Sequence, residues 1–444
     1  GGSPSAEAID YVTGRNLNTF FIKQTSAAVN FQGPLFSITS DPVTLAVGAE
    51  WRRESIRSRN NELSLANAWY AGNQQPLNGA REIKEVYAEL NVPLLADVPL
   101  AQKLELNGAV RRTDYQYSGS VTTWKAGFIY EPIDGLRFRG TRSRDIRAPT
   151  LNELFSQGIA QRAGVVNPFN GVSGTVNVVN AGNSALVPEI ANTLTAGVVV
   201  QPAFLPGLQI SADYYDIKVK GVIAGFTPQQ ILSGCFDDIQ QYCDAITFDN
   251  STFGLSNITN RPFNANGLHT RGIDFEAMYS TSLDGIGLPG RISVRGLATW
   301  VDKLETTALN GVFDYAGVAQ NGVPSWTYNV DMTYEVGDGA INARVRGFSG
   351  VLFDATLIGP DDPDYSPTLP NSINDNTFPA RAYLDLGFRY NVAGDENFQI
   401  FFNIDNVLNS DPPQFAAIAI NSGGNPYDLI GRSFRGGFRV KFGH

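Results

Sequence analysis

Apolar and polar residues alternate along this chain with a period of two, and helical spacing is scarce. In Phe398–Asp405 one face reads Phe398, Ile400, Phe402, Ile404, and the other Gln399, Phe401, Asn403, Asp405. Over 341–347, Ile341, Ala343, Val345 and Gly347 alternate with Asn342, Arg344 and Arg346. Over 273–279, Ile273, Phe275, Ala277 and Tyr279 alternate with Asp274, Glu276 and Met278. Leu384, Leu386, Phe388 and Tyr390 alternate with Asp385, Gly387 and Arg389. Phe434, Gly436, Phe438, Val440 and Phe442 alternate with Arg435, Gly437, Arg439 and Lys441.

The pattern predicts fifteen strands, near 18–31, 43–56, 82–93, 101–114, 120–131, 135–145, 191–202, 207–218, 268–280, 290–302, 325–335, 338–349, 381–391, 397–406 and 432–442. Soluble antiparallel sheets also alternate, but two features here favour a membrane wall. Full charges recur at mid-strand on one face while the other is nearly pure apolar and aromatic. A lipid-facing Arg or Lys at mid-bilayer costs about 2–4 kcal/mol, so such charges must face a lumen. The strands also run to about ten residues, the length that a tilted strand needs to cross a bilayer, where soluble strands average about five or six.

The connections alternate in length. Those at 202–207, 280–289, 336–339 and Ala393-Gly394-Asp395-Glu396 are short; 219–267, 303–324, 350–380 and 407–431 are long. Short periplasmic turns and long external loops are the outer-membrane pattern. The short connection at 115–119 breaks it. This phase makes the last strand run inward, leaving the C-terminus in the periplasm. Bacterial barrels of this type close with even strand numbers, so fifteen implies an odd number of strands before Gly1.

Composition agrees. Charged residues are 17% of the 444, with 45 Gly, 17 Tyr and 27 Phe. The balance of 33 basic against 43 acidic residues gives −10 and argues against a nucleic-acid partner, which needs a basic face. No stretch approaches the roughly 18 apolar residues of a transmembrane helix, and barrels need none. Gly1-Gly2-Ser3-Pro4 has no signal-peptide features. Cys235 and Cys243, with seven residues between them in a polar segment, read as a disulfide pinning a loop in an oxidising compartment, the alternative being two free thiols. With only two His, they form no zinc site.

Six motifs then fall in order. They are Arg142-Ser143-Arg144-Asp145-Ile146-Arg147-Ala148-Pro149-Thr150-Leu151-Asn152-Glu153-Leu154-Phe155; Leu186-Val187-Pro188-Glu189 with Ala191 and Gly197; Asp213-Tyr214-Tyr215-Asp216-Ile217; Thr270-Arg271-Gly272-Ile273-Asp274-Phe275-Glu276; Asn403-Ile404-Asp405-Asn406-Val407-Leu408-Asn409; and Gly431-Arg432-Ser433-Phe434 through Phe442. Together, over about 300 residues, they resemble the signatures of TonB-dependent outer-membrane receptors. Thr195 stands where that family usually has Glu, and Gly443-His444 follow where it usually stops.

The resemblance implies a 22-strand transmembrane antiparallel β-barrel around an N-terminal plug that contacts the inner-membrane TonB complex. Residues 1–444 would be the C-terminal part of that barrel, with the plug and about seven strands elsewhere. It implies uptake of a scarce, bulky nutrient such as a siderophore or carbohydrate, in the Gram-negative outer membrane among its lipids and lipopolysaccharide. A passive porin-type channel and a soluble glycan-binding β protein are the alternatives. No Ser-His-Asp set or Walker motif marks an enzyme, and no cofactor or metal is expected. Asp361, Asp362 and Asp364 read as a solvated acidic loop rather than a calcium site.

The expected lumenal and plug-facing charges are Arg137, Arg139, Asp213, Asp274, Glu276, Arg344, Arg346, Asp385, Arg389, Arg435, Arg439 and Lys441. Polar, wet contacts suit a plug that moves, because water replaces each lost hydrogen bond. The expected ligand-binding aromatics are the loop residues Trp69, Tyr70, Trp300, Tyr315 and Tyr365, with Phe313 beside them, although interfacial girdles use the same residue types. The Arg147-Ala148-Pro149 element with Glu153 reads chiefly as a rim element, and alternatively as a ligand contact.

Overall fold

A computed structural model describes all residues except 1–2, 71–72, 253, 309–310, 393–396, 414–426 and 443–444. The short connection expected at 393–396, much of the long one at 407–431, and His444 therefore lie outside the described residues.

Helix α1 (Ala6–Val12) precedes strands β1 (Asn18–Ser37) and β2 (Pro42–Asn60). Helix α2 (Glu62–Leu65) and β3 (Asn73–Gln74) lead to β4 (Asn78–Val98), β5 (Ala101–Tyr115), β6 (Gly119–Ile133) and β7 (Leu136–Arg147). Helix α3 (Leu151–Phe155), β8 (Ile159–Val166) and β9 (Ser173–Asn180) come before β10 (Glu189–Val200) and β11 (Leu208–Ala224). Helices α4 (Pro228–Phe236) and α5 (Gln240–Cys243), with β12 (Ile246–Phe248) and β13 (Leu255–Asn260), lead to β14 (Phe263–Ser282). The chain continues through β15 (Arg291–Ala308), β16 (Gly311–Asp314), β17 (Trp326–Val336), β18 (Gly339–Phe348), β19 (Val351–Leu352), β20 (Thr377–Phe378), β21 (Arg381–Asn391), β22 (Phe398–Asp405) and β23 (Ser433–Val440). Among the described residues, no helix is long and apolar enough to cross a membrane.

One antiparallel sheet runs β1-β2-β4-β5-β6-β7-β10-β11-β14-β15-β17-β18-β21-β22-β23, with β16 as a flap on β15. All fifteen expected strands are in this path, each hydrogen-bonded to its neighbour along the chain. Several exceed the ten residues expected: β4 has 21 and β14 has 20. On β4 the excess is 78–81, paired with β2, and 94–98, paired with β5 across a bulge, so backbone pairing continues beyond the alternating stretch at both ends.

The registers keep each face uniform. On one face Ile273 of β14 lies opposite Trp300 of β15, which lies opposite Trp326 of β17. Below that row, toward the short turns, Val330, Val345 and Leu384 line up across β17, β18 and β21. Both faces are substantially exposed, so the wall carries little buried core. Phe388 and Phe402 are 44% and 45% exposed on the apolar face, and Phe438 is 71% exposed.

The main buried cluster lies elsewhere. The 148–188 and 225–262 connections, expected as loops, fold with β3 of the 61–77 connection into a five-stranded sheet, β12-β13-β9-β8-β3, packed on α4 and α5. Val176, Val178, Ile231, Leu232 and Ile258 are at its centre, 0–1% exposed. Phe226 packs edge-on against Tyr242 at 5.1 Å. Burying such a set is the usual driving force for a folded unit, and it turns these connections into a cap.

Candidate functional site

The polar face of the wall carries a ladder of alternating charge. Arg295 of β15 is in register with Asp331 of β17, Asp331 with Arg344 of β18, and Arg344 with Asp385 of β21. Side chains follow the register: Arg344 Nε donates to Asp331 at 2.7 Å. Arg295 turns the other way, to Glu276 at 2.8 Å. Arg346 binds Asp385 at 3.0 Å and Asp428 at 2.8 Å, with its guanidinium 4.6 Å from the Tyr383 ring centre. Opposite-charge pairs across strands contribute about 0.2–1 kcal/mol each, and exposed pairs lie at the low end. The ladder neutralises the face more than it stabilises the sheet.

Of the twelve charges expected on this face, the register places eleven on it, all but Lys441; ten of these have a side-chain partner, and among the described residues Arg439 joins no ion pair. Arg139 grips Asp213 through two hydrogen bonds of 2.8 and 2.6 Å. These span β10, and Gly197 lies beneath them; a Cβ there would be 1.9 Å from Asp213 Oδ1. Arg137 pairs with Glu131 at 2.6 Å, Arg435 with Asp405 at 3.1 Å, and Arg389 with Glu335. Asp274 accepts from Thr299 at 2.7 Å. The partners Glu131, Arg295, Asp331, Glu335 and Asp405 were missed in the sequence. Period-two alternation places each of them on the polar face, but pairing them requires the register.

At the long-connection end, two of the six motifs meet. Arg147, the last residue of β7, donates twice to Glu153 at 3.1 Å and once to Glu189 at 2.7 Å. Thr150 caps α3 and Glu153 returns to the Thr150 N–H, a capping box. Glu189 also accepts from the Ile223 N–H at 2.7 Å, tying in β11. Arg81 of β4 donates to the carbonyl of the fully buried Pro149. The 142–155 and 186–197 signatures are therefore two halves of one rim knot. Partial burial pushes the Glu153 carboxyl up, but the Arg147 and Thr150 hydrogen bonds outweigh it and hold it below the ordinary carboxylate range. Asp428 behaves alike: burial raises it, while Arg346 and the Ile430 and Gly431 N–H groups bring it net below.

Cys235 and Cys243 form a disulfide, Cα atoms 4.7 Å apart, joining α4 to α5 inside the cap. The aromatics expected at the ligand do not converge. Trp69 is held in its own connection, its indole N–H donating to Ser64 Oγ at 2.9 Å. Tyr70 beside it is 92% exposed. Tyr315, with Phe313 at 6.5 Å, and the half-buried Tyr365 lie on two further connections. Trp300 is not a loop residue: it is in β15 on the apolar face, its ring stacked 6.2 Å from Trp326. Its place in the alternation, in phase with Ile292, Val294 and Ala298, carries that assignment. Among the described residues, no three His, Cys, Asp or Glu side chains gather as a metal site.

Residues 2–407 match the family model described as TonB dependent receptor-like, beta-barrel. The chain belongs to the TonB-dependent receptor family. Such receptors are transporters of the outer membrane, not enzymes. A search of curated protein sequences finds no match. Among solved structures, the ferric enterobactin receptor of Pseudomonas aeruginosa in complex with enterobactin superposes with a TM-score of 0.65 at 14% identity, over 95% of this chain and 55% of that one. A siderophore receptor from Acinetobacter baumannii gives 0.61 at 14%, over 96% and 55%. The FrpB iron transporter from Neisseria meningitidis gives 0.56 at 14%, over 96% and 56%. At these identities the likeness shows the fold, and the chain spans about 55% of the length of those receptors.

Proposed function

We propose that this chain is most of the wall of an outer-membrane active-transport receptor. Its polar face lines the lumen, its apolar face meets lipid, and its long connections lie outside the cell. The C-terminus then lies in the periplasm. The carrying observation is the separation of faces: across the paired strands the register sets Arg139, Asp213, Asp274, Arg344 and Asp385 on one side and Ile273, Trp300, Trp326, Val330 and Leu384 on the other. Among the described residues, β1 pairs only with β2 and β23 only with β22. Closure into a 22-strand barrel needs about seven more strands, and gating needs a plug, both contributed from outside these 444 residues.

The paired lumenal charges, Arg139–Asp213 and Arg346–Asp385 among them, form a neutral, wet surface from which a plug separates at low cost. TonB-coupled energy drives that separation. The nutrient is bulky and is caught by the cap and neighbouring loops, where Trp69, Tyr70, Tyr315 and Tyr365 offer ring faces. An iron chelate is the first class to try, since the three solved relatives above are named as siderophore receptors or an iron transporter.

The test uses the full-length receptor. Cells expressing it should accumulate iron supplied as ferric enterobactin, or as a panel of other chelates, and lose that uptake when the proton gradient is collapsed. Purified receptor in a planar bilayer should show no steady conductance. A constantly open channel, or uptake indifferent to the gradient, would refute active transport.

A further inference from the structure

Resting on the reading above, the cap lies outside the cell, and its own hydrogen bonds locate the end furthest from the wall. Strand β8 leaves the rim at Ile159, and β9 returns to it at Asn180, where the Gly182 N–H donates to the Ser156 carbonyl at 2.7 Å. The turn between them, 167–172, is therefore about seven residue steps out, roughly 23 Å. The β12–β13 turn is at the same end, with Asn170 Nδ2 donating to the Thr252 carbonyl at 3.2 Å. Helix α4 joins them there: the Gln229 side chain accepts from the Val166 N–H at 2.9 Å and donates to its carbonyl at 3.0 Å.

Three phenylalanines meet at this end, one from each segment. Phe169 packs edge-on against Phe236 at 5.4 Å and against Phe248 at 5.6 Å. None of the three belongs to the buried cluster of the cap. With Val166 they are 47–53% exposed. Scattered exposed apolar residues are ordinary, but a contiguous patch with a polar edge marks a surface that binds something.

Carboxylates flank the rings on both sides. Asp237 and Asp238 follow Phe236, Asp249 follows Phe248, and all three are exposed. The cap's two cations, Arg162 within β8 and Arg261 after β13, lie closer to the rim. The same bias runs through the whole outward surface. The long connections, with the segment before β1, hold sixteen carboxylates against four cations, an excess larger than the −10 of the entire chain. A surface of one sign draws ligands of the other and repels its own.

We propose that the far end of the cap is a binding site for an extended peptide carrying both apolar and cationic side chains. An apolar side chain lies on Phe169, between Phe236 and Phe248. Lysine or arginine on either side reaches Asp237 and Asp238 at one end and Asp249 at the other, and gains further from the aromatic ring faces. The occupant needs cations on both sides of its apolar group. Alternate side chains of an extended peptide, about 7 Å apart on one face, supply that order. Such a peptide is the class of nutrient the cap captures, with or without a bound metal, and an anionic chelate is repelled at the same surface.

The experiment is fluorescence anisotropy with the full-length receptor in nanodiscs of zwitterionic lipid, empty nanodiscs serving as the blank. The probe is a labelled peptide of sequence Lys-Ser-Phe-Ser-Lys-Ser-Phe-Ser-Lys. The comparison peptides carry glutamate for lysine, or alanine for phenylalanine. The expected result is binding of the probe at least tenfold tighter than of either comparison. F169S/F236S/F248S and D237N/D238N/D249N should each lose that preference, and D361N/D362N/D364N should keep it. Equal affinity for the lysine and glutamate peptides overturns the proposal without any variant. So does an unchanged preference in D237N/D238N/D249N. A patch already covered by another part of the full-length receptor shows as an unchanged preference in the phenylalanine variant, and overturns it too. Failure of the underlying reading looks different: the purified receptor binds the probe as expected, but a membrane-impermeant maleimide does not label N250C on intact cells.

Discussion

Val330→Arg tests the assignment of the two faces directly. On β17 the apolar face runs Trp326, Tyr328, Val330, Met332, Tyr334, so Val330 lies four residues from the aromatic at each end. Eight residue steps at about 3.3 Å, tilted by roughly 40°, rise about 20 Å, close to the height of a lipid-facing apolar band. Val330 is therefore at the midplane, between Gly296 and Val345 on the neighbouring strands. A guanidinium there has the longest way to either interface and gains least from snorkelling. The expected cost is about 2–4 kcal/mol, a shift of roughly 30- to 900-fold in the folding equilibrium. Asn329→Arg, one residue away, points to the polar face and should cost under about 1 kcal/mol. Urea titration of the full-length receptor in lipid bilayers, followed by tryptophan fluorescence, gives both values. Equal costs for the two substitutions, or a larger one for Asn329→Arg, would refute the assignment.

Three further outcomes follow from the same geometry. Replacing Cys235 and Cys243 by serine removes a cross-link across eight residues, worth about 2.5 kcal/mol on chain-entropy grounds; limited proteolysis should then cut first within 225–262, while the wall strands stay protected. Glu153 has a lowered pKa when folded, so its contribution to the rim knot is present above the ordinary carboxylate value and is lost as pH falls through the lower, folded one. Hydrogen exchange at Glu153 and Asn183 should be slow at neutral pH and accelerate in that acid window relative to Glu153→Gln, which should be fast throughout. Gly197→Ala places a methyl against Asp213 and should abolish the Arg139–Asp213 hydrogen bonds, destabilising the wall by about 1–3 kcal/mol; unchanged stability would show that β10 shifts freely.

What was legible in the sequence depends on where the relevant partner lies. Strand order and facing were readable because each wall strand pairs with its chain neighbour and its side chains alternate between two unlike surroundings. Arg344 and Asp385 could be assigned a face from local alternation alone. Their pairing could not, because a register is a relation between two strands and shifts at bulges such as the one between Arg271 and Gly272. The cap was illegible for a stronger version of the same reason. Strands β9 and β13 pair in parallel, Asn177 with Asn257, eighty positions apart. Segments such as 173–180 are too short to show a period. Trp300 shows the opposite case: its phase with Ile292 and Ala298 places it on the apolar face, although its residue type also suits a ligand-binding loop.

The cap's separate core bears on how such a protein divides its work. A wall with lipid on one side and water on the other has no interior, so its strands are held by hydrogen bonds and by facing, and most substitutions on the polar face are cheap. Selectivity built there would rest on exposed charges already paired with one another. The cap has what the wall lacks: eleven buried side chains in one cluster, a disulfide, and a rim knot that fastens it through Arg147 to β7, β10 and β11. A binding surface needs rigid support to hold a specific shape, and in this chain the cap's core is the main buried support for one. Loop aromatics lying on separate connections, such as Tyr70 and Tyr365, would then be shaped into a site by the cap they surround rather than by contact with each other.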